Sequence, residues 1–367
     1  MKILLVILIL SIPNIVLAQQ CDCKVNFDYT VNHVRTDYAG FNDKVKKSNI
    51  KAFEKFTALL RSKALTTNSV DSCYVLLRTW TNYFKDNHLR VQLDWRYRKA
   101  YPEVAKKLNQ QFAKPVATSS ADKPDPETNF KVLDNQMMLL RLPSFEWSEK
   151  KSIDSLFKLY EKELKHSANW IIDLRENTGG TDYAFSSLMP YVYTNPIKIK
   201  PDEYLSSEEN IRILTENLKG DDMSKAGKDF LGNLIALMKN HPNQFVNPSG
   251  KDEFEIKMDS VHQYPARIAI LIDRYTASSA ESFLLSAVQS KKVKVYGEHS
   301  AGTLDYSNTQ FFDIPAKEFN LVIPIARSMR LPEHPIDNIG VKPDVKIDAG
   351  EKDKIGYVRK VMEKDNK

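Results

Sequence analysis

From Gln136 onward, four short apolar runs recur, "QMMLLRLPSF", "NWIIDLREN", "RIAILIDRY" and "KVKVYGEHS", with helix-like segments such as "KKSIDSLFKLYEKELKHS" and "SAESFLLSAVQS" between them. Runs without polar alternation suit strands buried on both faces, and such strands alternating with amphipathic helices build a mainly parallel sheet. The expected fold class is α/β. Ligands in such sheets bind beyond the carboxyl ends of the strands. The turns "RENTGG", "RYTASSAES" and "GEHSAG" are therefore where chemistry is expected.

The preceding part reads differently. Phe53, Phe56, Leu59 and Leu60 mark one helical face, and Val75, Leu76, Trp80 and Phe84 another, so packed helices are expected there. "AKPVATSSADKPDPET" reads as a linker or surface loop. "EENIRILTENLKGDDMSKAGKDFLGNLIALMKN" is an inserted helical stretch, either a cap over the site or a surface decoration, and the Lys-rich tail reads as a solvated helix. The expected division is a signal over 1–18, a helical domain with linker over 19–130, and a catalytic core over 131–367 carrying an insertion near 201–250.

The opening "MKILLVILILSIPNIVLAQQC" has a positive start, an apolar run and small residues ending at Ala18, the pattern of a cleaved secretory signal. The run is too short for a confident membrane span. A secreted or periplasmic protein with no stable span after signal removal is expected. A lipoprotein anchor at Cys21 is the alternative, which Ala18, Gln19 and Gln20 fit less well. In an oxidising compartment Cys21 or Cys23 pairs with Cys73 and leaves one thiol over. The net charge of +6 is small against 53 basic and 47 acidic residues, and no basic stripe interleaves with aromatics, so nucleic acid is not an expected partner.

Three small hydroxyl residues, Thr276, Ser278 and Ser279, follow the strand "RIAILID", with Glu281 just beyond. A strand-to-helix turn aims a side chain outward beside free backbone amides, which favours developing negative charge. Two readings stand at this point: a capped helix start with Glu281 closing a capping box, or a serine nucleophile that needs a base and oxyanion donors. Gly179 and Gly180 permit a sharp turn and close approach to a bound group, as many ordinary turns also do. Asp173 and Arg175 read as braces of that turn, and Trp170 and Phe283 as core.

"NWIIDLRENTGG", then "ILIDRYTASSAESF", then "VKVYGEHSAG" resembles, in this order and spacing, the core of the tail-specific, or carboxyl-terminal processing, serine peptidases. The likeness covers Gln136 to Asp348 and implies a crotonase-like α/β core. It places the nucleophile on Ser278 and the oxyanion donors on the Ser279 amide and the Gly179–Gly180 turn. Where the bacterial serine–lysine enzymes carry their lysine base, this chain has Thr303, which cannot serve. The branch resembling the tricorn core protease implies instead a histidine ahead of the core and an acid near its end. "FKDNHLRV" puts His88, and "IDNIGVKPDV" puts Asp337, on those positions. Imidazole, with an unperturbed pKa of about 6.5, takes a serine proton near neutral pH given hydrogen-bond proximity. His299 and His334 are rival bases. The segment from His88 to Gln136 is too short for the peptide-binding PDZ domain of many relatives.

These readings converge on an exported serine endopeptidase acting on protein or peptide, with no cofactor and no metal required. The alternative is a ligand- or peptide-binding protein on the same scaffold, as in the retinoid-binding repeats of the photoreceptor matrix, which resemble this core.

Overall fold

The computed structural model describes residues 21–112, 123–220 and 223–364; the signal-like start and most of the Pro- and Ser-rich segment lie outside them. All four apolar runs form strands: Met137–Arg141, Asn169–Asp173, Arg267–Ile272 and Val293–Gly297. They pair in parallel in that order, Val345–Lys346 closes one edge in parallel, and Asn129–Asp134 closes the other as an antiparallel strand. Because successive side chains alternate across a strand, each run supplies both faces of the sheet. Trp170, Ile172, Ile268 and Ile270 face a core completed by Phe283 and Leu284 of the helix Ser279–Ala287. Ile171, Ala269 and Leu271 face the opposite way and are covered by Val358 and Met362 of the helix Lys354–Lys364. The tail expected to be solvated therefore buries one stripe.

The helices expected near the amino terminus are Cys23–Asp37, Ile50–Ala64 and Val70–Thr81. Phe53, Leu60, Leu76, Trp80 and Phe84 are buried, whereas Leu59 points to solvent. Cys23 pairs with Cys73, joining the first and third of these helices, and Cys21 is free, with its thiol buried against Asn26 Nδ2. Burial pushes that thiol up to about 11.

These helices pack on a second, antiparallel sheet built around Phe319–Ser328. Tyr306–Asp313 pairs along one edge of that strand; Arg90–Leu93 and Asp202–Leu205 share the other. Asp202–Leu205 in turn pairs with Phe245–Val246, so the stretch near 201–250 adds edge strands to this sheet. Its helices, Glu208–Asn217 and Lys225–Asn240, place Ile213, Leu214, Leu234 and Met238 in the same apolar core as the amino-terminal helices. No helix among the described residues is long and apolar enough to cross a membrane.

Candidate active site

The strand Arg267–Ile272 runs into a turn whose residues are pinned one after another. Thr276 Oγ1 donates to the Leu174 carbonyl at 2.9 Å, the Ala277 amide to the Asn177 carbonyl at 2.9 Å, and the Ser278 amide to Glu281 Oε2 at 3.1 Å. Ser278 is held at φ 54°, ψ −122°, a conformation costly for a residue with a Cβ. The cost is met by these bonds, and the side chain stands out at the head of the helix Ser279–Ala287.

The Ser278 hydroxyl meets His88 Nε2 at 3.2 Å across 190 residues of sequence. The other ring nitrogen, Nδ1, lies 2.6 Å from the Tyr306 carbonyl oxygen. A carbonyl only accepts, so Nδ1 carries the proton and Nε2 presents its lone pair to the hydroxyl. The backbone beneath the ring is fixed too: the His88 amide donates to Asp86 Oδ1 at 2.8 Å, and Tyr38 Oη donates to Asp86 Oδ2 at 2.8 Å.

Asp337 does not hold the imidazole directly. Its Oδ1 accepts the amides of Leu304 and Asp305 at 3.0 and 2.8 Å, while the carboxylate of Asp305 accepts those of Ile336 and Asp337 at 3.0 and 2.9 Å. This reciprocal clasp fixes the chain just ahead of Tyr306. The reason for the difference from expectation is positional: the Tyr306 carbonyl already fills the Nδ1 direction. Burial first, and the neighbouring Asp86 second, push the Asp337 carboxyl up from 3.8 to about 7, despite its two amide donors.

On the other flank lies the Gly179–Gly180 turn. A Cβ on Gly179 would stand 2.7 Å from Ser278 Cβ and 2.8 Å from the Ser279 nitrogen, so only glycine allows this approach, and its φ is +93°. The Gly179 amide is engaged, donating to Asn177 Oδ1 at 2.9 Å, which removes it as an oxyanion donor in this conformation. The amides of Gly180 and Ser279 have no hydrogen-bond partner among the described residues. Asn177, fully buried, also donates from Nδ2 to the Leu142 carbonyl at 3.0 Å, so one side chain ties the sheet end to the turn. Asp173 and Arg175 form a buried ion pair at 2.7 Å below it.

Glu281 joins the nucleophile turn to the third motif. It is fully buried and accepts from Ser300 Oγ at 2.5 Å, the Gly302 amide at 2.7 Å and the Thr303 amide at 2.8 Å as well as from Ser278. Thr303 Oγ1 accepts from Asn87 Nδ2 at 3.2 Å, so Thr303 borders the histidine loop. His299 Nδ1 turns to the Ser300 carbonyl, and His334 is exposed, its amide bonded to the Arg330 carbonyl; neither contacts Ser278. Asp86, Asn177 and Tyr306 carry much of this geometry and were not singled out by the sequence. A backbone carbonyl leaves no signature there, and Asp86 only adjoins the histidine as part of "DNH".

A serine hydroxyl on a strained turn, an imidazole in the accepting tautomer and free amides alongside are suited to acyl transfer, and the family match shows the class to be that of the serine-type peptidases. The chain belongs to peptidase family S41, whose sequence profile matches residues 136–347. Among solved structures, mature CPAF is similar at 10% identity and a TM-score of 0.62, over 93% of this chain and 96% of that one. A putative peptidase from Parabacteroides merdae is similar at 14% identity and a TM-score of 0.56, over 93% and 97%. A lipoprotein from Streptococcus agalactiae follows at 14% identity and a TM-score of 0.50, over the same shares. At such identities the likeness concerns the fold. No curated protein matches the chain.

Proposed function

We propose that the protein is an exported serine endopeptidase that cleaves peptide bonds through an acyl-enzyme on Ser278, on a crotonase-like core. One observation carries this reading: His88 Nε2 lies 3.2 Å from Ser278 Oγ while Nδ1 is committed to the Tyr306 carbonyl. In the first step Nε2 takes the hydroxyl proton as Oγ bonds to the substrate carbonyl carbon, and the oxyanion is received by the amides of Gly180 and Ser279. The imidazolium then gives its proton to the leaving amine. Water, deprotonated by the same nitrogen, attacks the ester, and the imidazolium returns that proton to Ser278 Oγ as the acid product leaves. The Tyr306 carbonyl stabilises the transient imidazolium through Nδ1–H, and Asp337 serves at one remove by holding residues 304–305. The Cys23–Cys73 pair supports export, because disulfides persist in oxidising compartments.

The test is a tagged fluorophosphonate on purified protein, with quenched peptides as substrates. Ser278→Ala should abolish labelling, and His88→Ala should lower kcat/KM by roughly 10³-fold or more. Labelling that persists unchanged in Ser278→Ala sends the reading to a binding protein on the same scaffold.

A further inference from the structure

Two large rings stand in solvent beside the oxyanion turn. Trp147 is 68% and Tyr183 54% exposed, and their ring centroids lie 5.5 Å apart at 37°. Both are tied by short stretches of chain to the reacting centre. Phe145 donates its amide to the Gly179 carbonyl at 3.0 Å and accepts the Thr181 amide at 2.8 Å, so the segment leading to Trp147 is bridged in parallel to Gly180. Past Gly180 the chain follows the nucleophile helix, where Asp182 Oδ2 accepts from Ser282 Oγ at 2.7 Å, and Tyr183 comes next. Phe145, next to this segment, packs edge to face with Phe185 and Phe283, which lie tilted against each other, so the chain leading to Trp147 is anchored in the core.

We propose that Trp147 and Tyr183 form a subsite for a neutral apolar side chain, aromatic or large aliphatic, on a substrate residue flanking the scissile bond. This rests on the peptidase reading of Ser278. Exposed rings lose water favourably against an apolar partner, and offset ring contacts add to that gain. The charge pattern narrows the choice. Lys150 Nζ sits 5.2 Å from the Tyr183 ring centroid, anchored by Asp154 and Ser187 at 2.6 Å each, so a cation already faces that ring. Asp182, between the rings and the nucleophile helix, repels an acidic side chain.

The experiment uses quenched hexapeptides that differ in one residue, set in turn to Phe, Leu, Ala, Asp and Lys, on each side of the cut. Wild-type protein should favour Phe or Leu over Ala, Asp and Lys by about tenfold in kcat/KM at one position. Trp147→Ala should erase that preference, mainly through KM, and Trp147→Phe should retain it. An undiminished preference in Trp147→Ala overturns the proposal. Binding separates it from the peptidase reading. On Ser278→Ala protein, fluorescence anisotropy of the labelled Phe hexapeptide should show affinity that falls about tenfold when Trp147→Ala is added, whether or not wild type hydrolyses anything. Equal affinity with and without Trp147, or no binding of the Phe peptide, sinks the subsite.

Discussion

The Ser278 hydroxyl owes its place to neighbours that make no contact with a substrate. Gly179 shows how little room is left. A methyl group there would press on Ser278 Cβ and the Ala277 carbonyl at 2.7 and 2.8 Å, at a φ of +93° that already disfavours a side chain. Gly179→Ala should lower kcat/KM by about a hundredfold or more through displacement of the nucleophile. Quenched-peptide assays and a circular-dichroism melt on the same sample separate that effect from unfolding. Asp337 gives a pH signature. Its carboxyl is pushed up to about 7 in the folded chain from 3.8. Below the lower value both states hold the proton. As pH rises between the two, the unfolded chain releases it first, so stability falls, levelling above about 7. Asp337→Asn keeps an acceptor for the Leu304 and Asp305 amides but cannot ionise. Its stability relative to wild type, from urea midpoints, should grow from pH 4 towards pH 7 and then hold steady; a pH-independent difference would falsify this account. Ser278 and His88 could be singled out from the sequence because the proposed reaction runs through their side chains. The group on His88 Nδ1 could not, since every residue owns a carbonyl and only folding decides which one arrives.

At the scale of elements, the nucleophile helix is joined to its surroundings by one buried carboxylate. Glu281 accepts three backbone amides and a hydroxyl from two segments, and Glu281→Ala leaves those donors without partners in the interior. The expected loss is about 3 kcal/mol, read from chemical denaturation, with Ser278 labelling falling in parallel. From the sequence Glu281 reads as a helix-capping residue, which captures only its bond to Ser278. Three of the parallel strands were legible because burial on both faces demands largely apolar runs, and the fourth, "VKVYG", despite its exposed Lys294, because it follows a helix and ends in a glycine turn. The antiparallel pair Tyr306–Asp313 and Phe319–Ser328 was not. "YSNTQFFD" is largely polar, and "FNLVIPIARS" is broken by Pro324, which normally argues against a central strand. Here Pro324 lies opposite Thr309, and its carbonyl accepts the Ala39 amide at 3.1 Å. The strand that supplies Tyr306 was thus hidden, and with it the partner of the histidine. The stretch near 201–250 was recognised as helical, but its two edge strands are only four and two residues long, too brief to leave a periodic signal.

On the scale of the whole molecule, two layers meet at the site: helices on an antiparallel sheet bring His88 and Tyr306, and the parallel sheet brings Gly179, Gly180 and Ser278. The disulfide lies in the first layer and closes a loop spanning 50 residues. Restricting the unfolded chain by such a loop is worth about 2–4 kcal/mol, so Cys73→Ser, or reductant on wild type, should lower the unfolding free energy by that much. Both treatments should give the same midpoint in denaturant; agreement between them excludes damage peculiar to the serine. The α/β class could be read from periodicity, whereas the make-up of the second layer and its docking could not, because that layer joins the amino-terminal helices to strands at 202–205, 245–246, 306–313 and 319–328, segments remote in sequence.

That docking has a temporal side. His88 leaves the ribosome long before Ser278, 190 residues later, and neither segment alone holds the imidazole–hydroxyl contact. On the proposed mechanism, a chain still being made, or one with its two layers apart, lacks the means to cut its neighbours.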